Sequence, residues 1–426
     1  MSQNPPAERP PVTLSQVSIT STKPQTPEPV ADSDGLFLNL GNSHCKYPCC
    51  NGTGFGRVSA DTTLRDMLRM VPDPRNKRGI RHELLAILMI AIAATISGRR
   101  SFCGIGEYAQ ELPQPALRWI GCRFNVRKGR FIAPSEKAIR ALIGKIGAET
   151  LDEISGRWML SLLDSTIALR VAMDGKVLRG SLTTEGHVKL FAAMIHGTGV
   201  VVGQREIPAG TGENAQFTTM INSLGLSGVI YTADALHTHA DNARAVLAGD
   251  NHYVFIVKGN QPTLFEDTQK NLAGKFPATA EYTYTERGHG RIVTRTIRAT
   301  TVKDNRFPGA AQIFRIIRTV SDLSGQKISK EVVYGITSLT TKEATLTQLA
   351  SIVQGHWGIE NLIHYVRDVT YDEDRNQVHT QSGPQAMATF RNIALGLVRL
   401  TGFPKIATAL RHLGANPLRA LALLPN

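Results

Sequence analysis

Cysteine is scarce. Five residues in 426, at positions 45, 49, 50, 103 and 122, are an odd number and too few to staple a chain of this length. A disulfide scaffold is therefore excluded, and a reducing compartment, the cytoplasm, is expected. Long apolar runs are also missing. The longest uncharged one, Leu84 to Gly98, has 15 residues between Arg81 and Arg99, short of the ~20 needed to span a bilayer. It reads as a buried core helix, and no membrane partner is expected. The start of the chain lacks the basic, apolar, small-residue order of a secretory signal. Acidic residues are outnumbered, 35 against 48 Lys+Arg. The net +13 favours a polyanionic partner, though charge alone does not choose between nucleic acid and an anionic surface.

What is present sorts into four segments. Residues 1–60 hold seven of the 21 prolines within the first 30 positions, and their charges cancel. They read as a disordered tail, so the basic surplus lies on the remainder. His44, Cys45, Cys49 and Cys50 in that tail lack the CxxC spacing and second ligand pair of a zinc site. Residues 61–165 read as a small all-helical domain. Leu84, Ile87, Leu88, Ala91 and Thr95 recur at helical spacing, and Pro134-Ser135-Glu136 marks a capped helix start. Three basic clusters punctuate this domain: Arg75, Lys77, Arg78 and Arg81; Arg99 and Arg100; and Arg123, Arg127, Lys128 and Arg130. Together they favour phosphate contacts, with Arg75, Arg78 and Arg81 as candidate DNA-binding residues.

Residues 166–383 change grammar. Strand-like runs at Val171–Leu178, Val188–Ile195 and Val200–Ile207 precede an alternation: helix Glu213–Leu224, strand Val229–Thr232, helix Thr238–Leu247, strand Tyr253–Val257. Three strands joined by short connections and then alternating helix and strand imply an α/β fold with a mixed sheet, in the order of an RNase H-like domain. A β-rich insertion at about 280–340 and a long helix from Lys342 to about Arg367 follow. Residues 384–426 read as amphipathic C-terminal helices.

Asp174 lies mid-strand in Val-Ala-Met-Asp-Gly-Lys-Val-Leu, where an unpaired buried carboxylate is costly. Asp234 ends the strand Val-Ile-Tyr-Thr-Ala-Asp, where open α/β sheets expose groups to ligand. Either alone fits a structural Asp or a helix cap; two on neighbouring strands point to a site. On a regular helix His356, Glu360, His364 and Arg367, at i, i+4, i+8 and i+11, share one face. Carboxylates from two strands and a helix suit two divalent ions, Mg2+ or Mn2+, flanking a phosphoryl transfer. Zinc on His356, Glu360 and His364 is a further option, without HExxH spacing.

Six stretches, in order from about residue 62 to the end, resemble the bacterial DDE insertion-sequence transposases of the H-repeat-associated group. They are Pro72-Asp73-Pro74-Arg75 with Arg78-Gly79-Ile80-Arg81-His82; Asp174-Gly175-Lys176 with Arg179-Gly180-Ser181; Thr232-Ala233-Asp234-Ala235-Leu236-His237; Val257-Lys258-Gly259-Asn260-Gln261; Gly288-His289-Gly290-Arg291; and His356-Trp357-Gly358-Ile359-Glu360-Asn361. The resemblance implies that Asp174, Asp234 and Glu360 are a catalytic, metal-binding triad. It implies cleavage and rejoining of double-stranded DNA at terminal repeats, with a dimer on DNA. Where the group carries Arg, this chain has Gln354. Lys258, Asn260, Gln261, Arg291 and Arg295 with His289 are candidate DNA contacts, Arg367 a candidate phosphate clamp and Trp357 a candidate base-stacking platform. A catalytically inactive, domesticated DNA-binding protein is the alternative, and a zinc hydrolase a third reading.

Overall fold

The computed structural model describes residues 62–424 except 79, 164–168, 185, 275–280 and 303–306. The proline-rich tail and its Cys/His group fall outside the described residues.

Six helices come first: α1 (Leu64–Arg69), α2 (Leu84–Ile96), α3 (Phe102–Glu111), α4 (Gln114–Ile120), α5 (Glu136–Ile143) and α6 (Ala148–Ser161). Helix α2 is apolar on every side, so it is buried on every side, as its sequence predicts. Ser135 caps α5 by accepting from the Ala138 amide. The segment is not all-helical, however. Between α4 and α5 a hairpin pairs β1 (Phe124–Asn125) with β2 (Arg130–Phe131). Asn125 caps its turn and Gly129 closes it at φ +60°. Strands of two residues are too short to register as a period.

Next come β3 (Arg170–Val177), β4 (Lys189–Ile195), β5 (Val200–Ile207), α7 (Asn214–Leu224), β6 (Ile230–Ala233), α8 (Ala240–Ala248), β7 (His252–Val257) and α9 (Pro262–Leu272). A four-stranded meander follows: β8 (Glu281–Gly288), β9 (Arg291–Thr301), β10 (Gln312–Asp322) and β11 (Lys327–Thr337). All nine strands from β3 onward lie in one mixed sheet, ordered β5-β4-β3-β6-β7-β11-β10-β9-β8. β3 pairs antiparallel with β4 and parallel with β6, and β7 runs parallel to β6. The meander extends the same sheet, because Tyr334–Thr337 of β11 pair antiparallel with Val254–Val257 of β7. His289 and Gly290, at φ +51° and +72°, make the tight turn between β8 and β9.

The chain closes with α10 (Leu346–His356), a π-helical turn at Ile359–His364, α11 (Tyr365–Val369), α12 (Gly383–Leu400), α13 (Ile406–Gly414) and α14 (Pro417–Ala422). The helix expected from Lys342 starts later, at Leu346, where Thr345 and Gln348 form a reciprocal capping box. Helix α12 is buried all round: Gly383 through Val398 are all buried, so its polar face also meets protein rather than solvent. It packs against α2, α6 and β5, so the first and last helices share one apolar core with the sheet.

Helix α6 meets β5 without a side chain at Gly156. A Cβ there would lie 2.2 Å from the Val202 carbonyl oxygen, and neither backbone can give way cheaply. Gly156→Ala is therefore expected to destabilise by about 1–3 kcal/mol, despite a helix-propensity gain of about 1 kcal/mol. Chemical denaturation showing a midpoint at or above wild type would contradict this packing.

Candidate metal centre

The β3–β6 ladder ends at Met173 beside Ala233, so the next residue of each strand, Asp174 and Asp234, emerges at the same edge. Asp174 still lies within the antiparallel ladder to β4, opposite Ala192. Burial pushes its pKa up to about 6; His364 pulls it down, and the like charges of Asp234 and Glu213 push it up. Asp234 also caps the turn after β6, its Oδ1 accepting from the Leu236 amide at 3.0 Å. The capping role and the position at the strand end coexist.

Glu360 arrives on the π turn. Its Oε2 is 2.9 Å from His364 Nδ1, which lies 3.6 Å from Asp174 Oδ2. Ligand atoms of Asp174, Glu360 and His364 all lie within 4.8 Å of one another, a group that could hold a metal ion. Asp234 stands outside that trio, yet acts on Asp174 by its charge. The Glu360 carboxyl is held below its usual range by the hydrogen bond from His364, with Lys176 contributing. Lys176 is bound through both oxygens of Asp368 at 2.6 Å. The crowded carboxylates fit a hard divalent cation, and the buried imidazole is the softer donor of the group.

The structure divides the four residues that a regular helix places on one face. His356 is buried, and its Nδ1 lies 3.1 Å from Thr232 Oγ1, on which His196 also converges at 2.9 Å. Burial lowers the pKa of His356 to about 4 and that of His196 to about 3. His356 therefore does not join Glu360 and His364 in a zinc set. Arg367 is corrected too. It is 1% exposed and binds both oxygens of Glu373, so no phosphate reaches it. The π turn, with its wider i→i+5 bonding, rotates the downstream residues and turns Arg367 inward.

The other candidates are spread more widely. Trp357 is 51% exposed, three residues before Glu360. Lys258 is exposed after β7, whereas the Asn260 amide donates to the Ala235 carbonyl at 2.6 Å and Gln261 meets His239 at 3.5 Å. Those two residues tie the loop after β7 to the loop after β6. Arg291 is exposed at the β8–β9 turn, but Arg295 pairs with Glu286. Gln354 links α10 to the meander through Tyr284 and Glu286. Arg75 is held by Asp73, while Arg78 and Arg81 are exposed. Burial lowers the pKa of His82, and Arg123, Arg75 and Arg81 lower it further, so Arg123 of the third cluster lies close to Arg75 and Arg81 of the first. The second is spent on ion pairs, Arg99 with Glu111 and Arg100 with Asp372.

His364 is legible in the sequence through its i+4 spacing from Glu360, whereas Glu213, close over Gly175, is not, because an acid just before a helix reads as an end-of-helix charge.

The chain belongs to the transposase DDE domain family, whose profile matches residues 168–397; a DDE_Tnp_1-associated profile matches 65–159. It is a transposase of the DDE class, an enzyme of DNA phosphoryl transfer, as the motif order implies. Among its relatives, "Putative transposase YncI" of Escherichia coli O157:H7 is 25% identical over 351 residues, covering 79% of this chain and 87% of that one. "H repeat-associated putative transposase YhhI" of Escherichia coli (strain K12) is 25% identical over 347 residues, covering 79% and 90%. Among solved structures, a piggyBac transposase synaptic complex with hairpin DNA is similar at 10% identity and a TM-score of 0.38, covering 83% of this chain and 76% of that one. Among the described residues no helix is long and apolar enough to cross a membrane.

Proposed function

We propose that this transposase cuts and rejoins double-stranded DNA at the terminal inverted repeats of its own insertion sequence, with Asp174, Asp234 and Glu360 holding two divalent ions, Mg2+ or Mn2+. The observation that supports this most is the meeting of Asp174 on β3 with Glu360 on the π turn, beside the end of β6. The strand order β5-β4-β3-β6-β7, an antiparallel trio followed by two parallel strands, supports an RNase H-like core. Bound ions of this kind polarise a phosphate and stabilise both the attacking and leaving oxygens.

The chain's own residues supply placement. Asp174 is fixed by its ladder, Asp234 by its cap, and Glu360 by His364. Trp357 offers a stacking face beside the centre, and Lys258 and Arg291 offer charge for the backbone. The patch around His82, with Arg78, Arg81 and the β1–β2 hairpin, holds duplex DNA. Two element ends must be held together for transposition, so a dimer on DNA is proposed, working at the nucleoid in the cytoplasm.

The hairpin residues Arg123, Arg127 and Lys128 are exposed. Replacing all three with Ala is expected to weaken binding of terminal-repeat DNA and to reduce the slope of log affinity against log salt by about 2.7, at ~0.9 per lost phosphate contact. Fluorescence anisotropy across a salt series measures both. A wild-type slope near zero contradicts the DNA interface; an unchanged slope in the triple variant removes the hairpin from it.

A further inference from the structure

We infer that Lys176 is a positioning residue for Glu360, pinning the π turn that carries this acid to the strand that carries Asp174; this rests on the metal-dependent reading above. Residues two apart in a strand point to one face, so Lys176 and Asp174 share a side of β3. The ladder from β3 to β6 ends at Met173, but the ladder to β4 continues through Lys176, opposite Leu190, and fixes its backbone. The Lys176 side chain is 8% exposed, and its Nζ meets both oxygens of Asp368 at 2.6 Å. Asp368 lies on α11, which continues directly from the π turn. The same ammonium acts on the Glu360 carboxyl.

The hydrogen bond between His364 and Glu360 is internal to the π turn, so it travels with the turn. Two contacts instead reach from the turn's flanks to the sheet. On the near side His356 meets Thr232, two residues before Asp234 on β6. On the far side Asp368 meets Lys176, two residues after Asp174 on β3. The segment holding the third acid is thus tied to both strands that hold the other two. The chain leaving β3 packs against the same segment: a Cβ built on Gly180 would lie 2.3 Å from the Asn376 carbonyl oxygen and 2.8 Å from that of Glu373. Glu373 separately holds Arg367 of α11 and Arg391 of α12, so loss of the Lys176 pin should shift the turn without unfolding the chain. The sign of the effect separates placement from charge. Removing a positive charge near the centre would, by Coulomb's law alone, tighten a divalent cation. Losing the placement of Glu360 weakens it.

Manganese binding tests this directly. Free Mn2+ is counted by electron paramagnetic resonance as it is titrated into the full chain, with folding followed by circular dichroism and repeat-end DNA binding and cleavage followed in parallel. Wild type is expected to bind two ions and Asp174→Asn to lose both. Lys176→Met keeps the stem and removes the charge; it is expected to weaken one ion by at least about tenfold, the lower end of what losing an outer partner of a metal costs. Its cleavage should need correspondingly more Mg2+. Its binding of repeat-end DNA should stay at the wild-type level, because a buried ammonium held by Asp368 offers nothing to phosphate. Lys176→Arg, which can still meet Asp368, should restore most of the affinity. If Lys176→Met fails to fold, Lys176→Gln, neutral but able to donate to Asp368, decides, with a smaller loss expected. Mn2+ affinity at or above the wild-type level in the folded neutral variant, with binding still lost in Asp174→Asn, overturns the inference and leaves the three-carboxylate centre standing. Equal binding by wild type and Asp174→Asn instead brings down the metal-centre reading itself.

Discussion

Asp174→Asn and Glu360→Gln are each expected to lower cleavage of element-end DNA by about 10³-fold or more. Either change keeps the shape of the side chain and removes one negative charge. Losing several kcal/mol of charge stabilisation, at tenfold per 1.36 kcal/mol, gives this magnitude. Binding of the same DNA should be unchanged or stronger, because a carboxylate repels phosphate and an amide does not. The separation of cutting from binding is the diagnostic result. Wild type that binds the ends yet fails to cut them with Mn2+ would make the chain a DNA-binding protein without catalysis. Stoichiometric zinc with activity indifferent to Mg2+ would make it a hydrolase of another kind. The second outcome is opposed by His356, whose ring is turned to Thr232 rather than toward Glu360.

Glu373→Gln should produce the largest loss of stability, about 3–5 kcal/mol, because it leaves two guanidinium groups buried with no countercharge. Glu373 Oε2 lies 2.8 Å from Arg367 Nη2 and Oε1 lies 2.7 Å from Arg391 Nη1, and none of the three side chains is more than 2% exposed. Arg367 and Arg391 join α11 to α12, so the pair anchors the segment that follows Glu360. Burial alone would raise the Glu373 pKa, but the two arginines outweigh it and hold the group at about 2. A depressed folded pKa gives stability that is complete above the unfolded value of 4.5 and is lost as pH falls toward about 2. At 1.36 kcal/mol per unit this acid limb is worth about 3 kcal/mol. Asp152 works in the opposite sense. Burial pushes it up to about 7 against the hydrogen bonds from Thr389, Gln385 and Gln204, so its contribution is present below 3.8 and lost as pH rises through 7. Urea titrations across pH should therefore show a flatter acid limb in Glu373→Gln. A wild-type midpoint at neutral pH in that variant would contradict the burial of this triad.

Much of this was legible because it depends on local periods. Three apolar strand runs and the alternation after them are visible residue by residue, and β3 to β7 fall within a residue or two of where those runs place them. Helix α2 is legible because a continuous apolar run of its length can only be buried. Asp174 and Asp234 stand out as acids at odds with their strands. What escaped depends on tertiary approach or on a break in period. The projection that put Arg367 beside Glu360 assumes regular turns, and nothing in Ile359–His364 marks the π turn that breaks them. The pairing of β11 with β7 is a long-range contact with no local trace. Glu213 comes up against the strand carrying Asp174 only because Gly175 leaves space for it. Asn260 ties two loops together through the Ala235 carbonyl, a role its turn context allows equally with a DNA contact.

The central claim is that acids remote in sequence hold divalent ions at the ends of β3 and β6. Anomalous diffraction from crystals of the full chain with Mn2+ tests it most directly. Manganese peaks are expected within coordination distance of Asp174, with Asp234 and Glu360 as further ligands. Peaks elsewhere on the surface, with the Asp174 and Glu360 oxygens empty at saturating Mn2+ and repeat-end DNA bound, would contradict it.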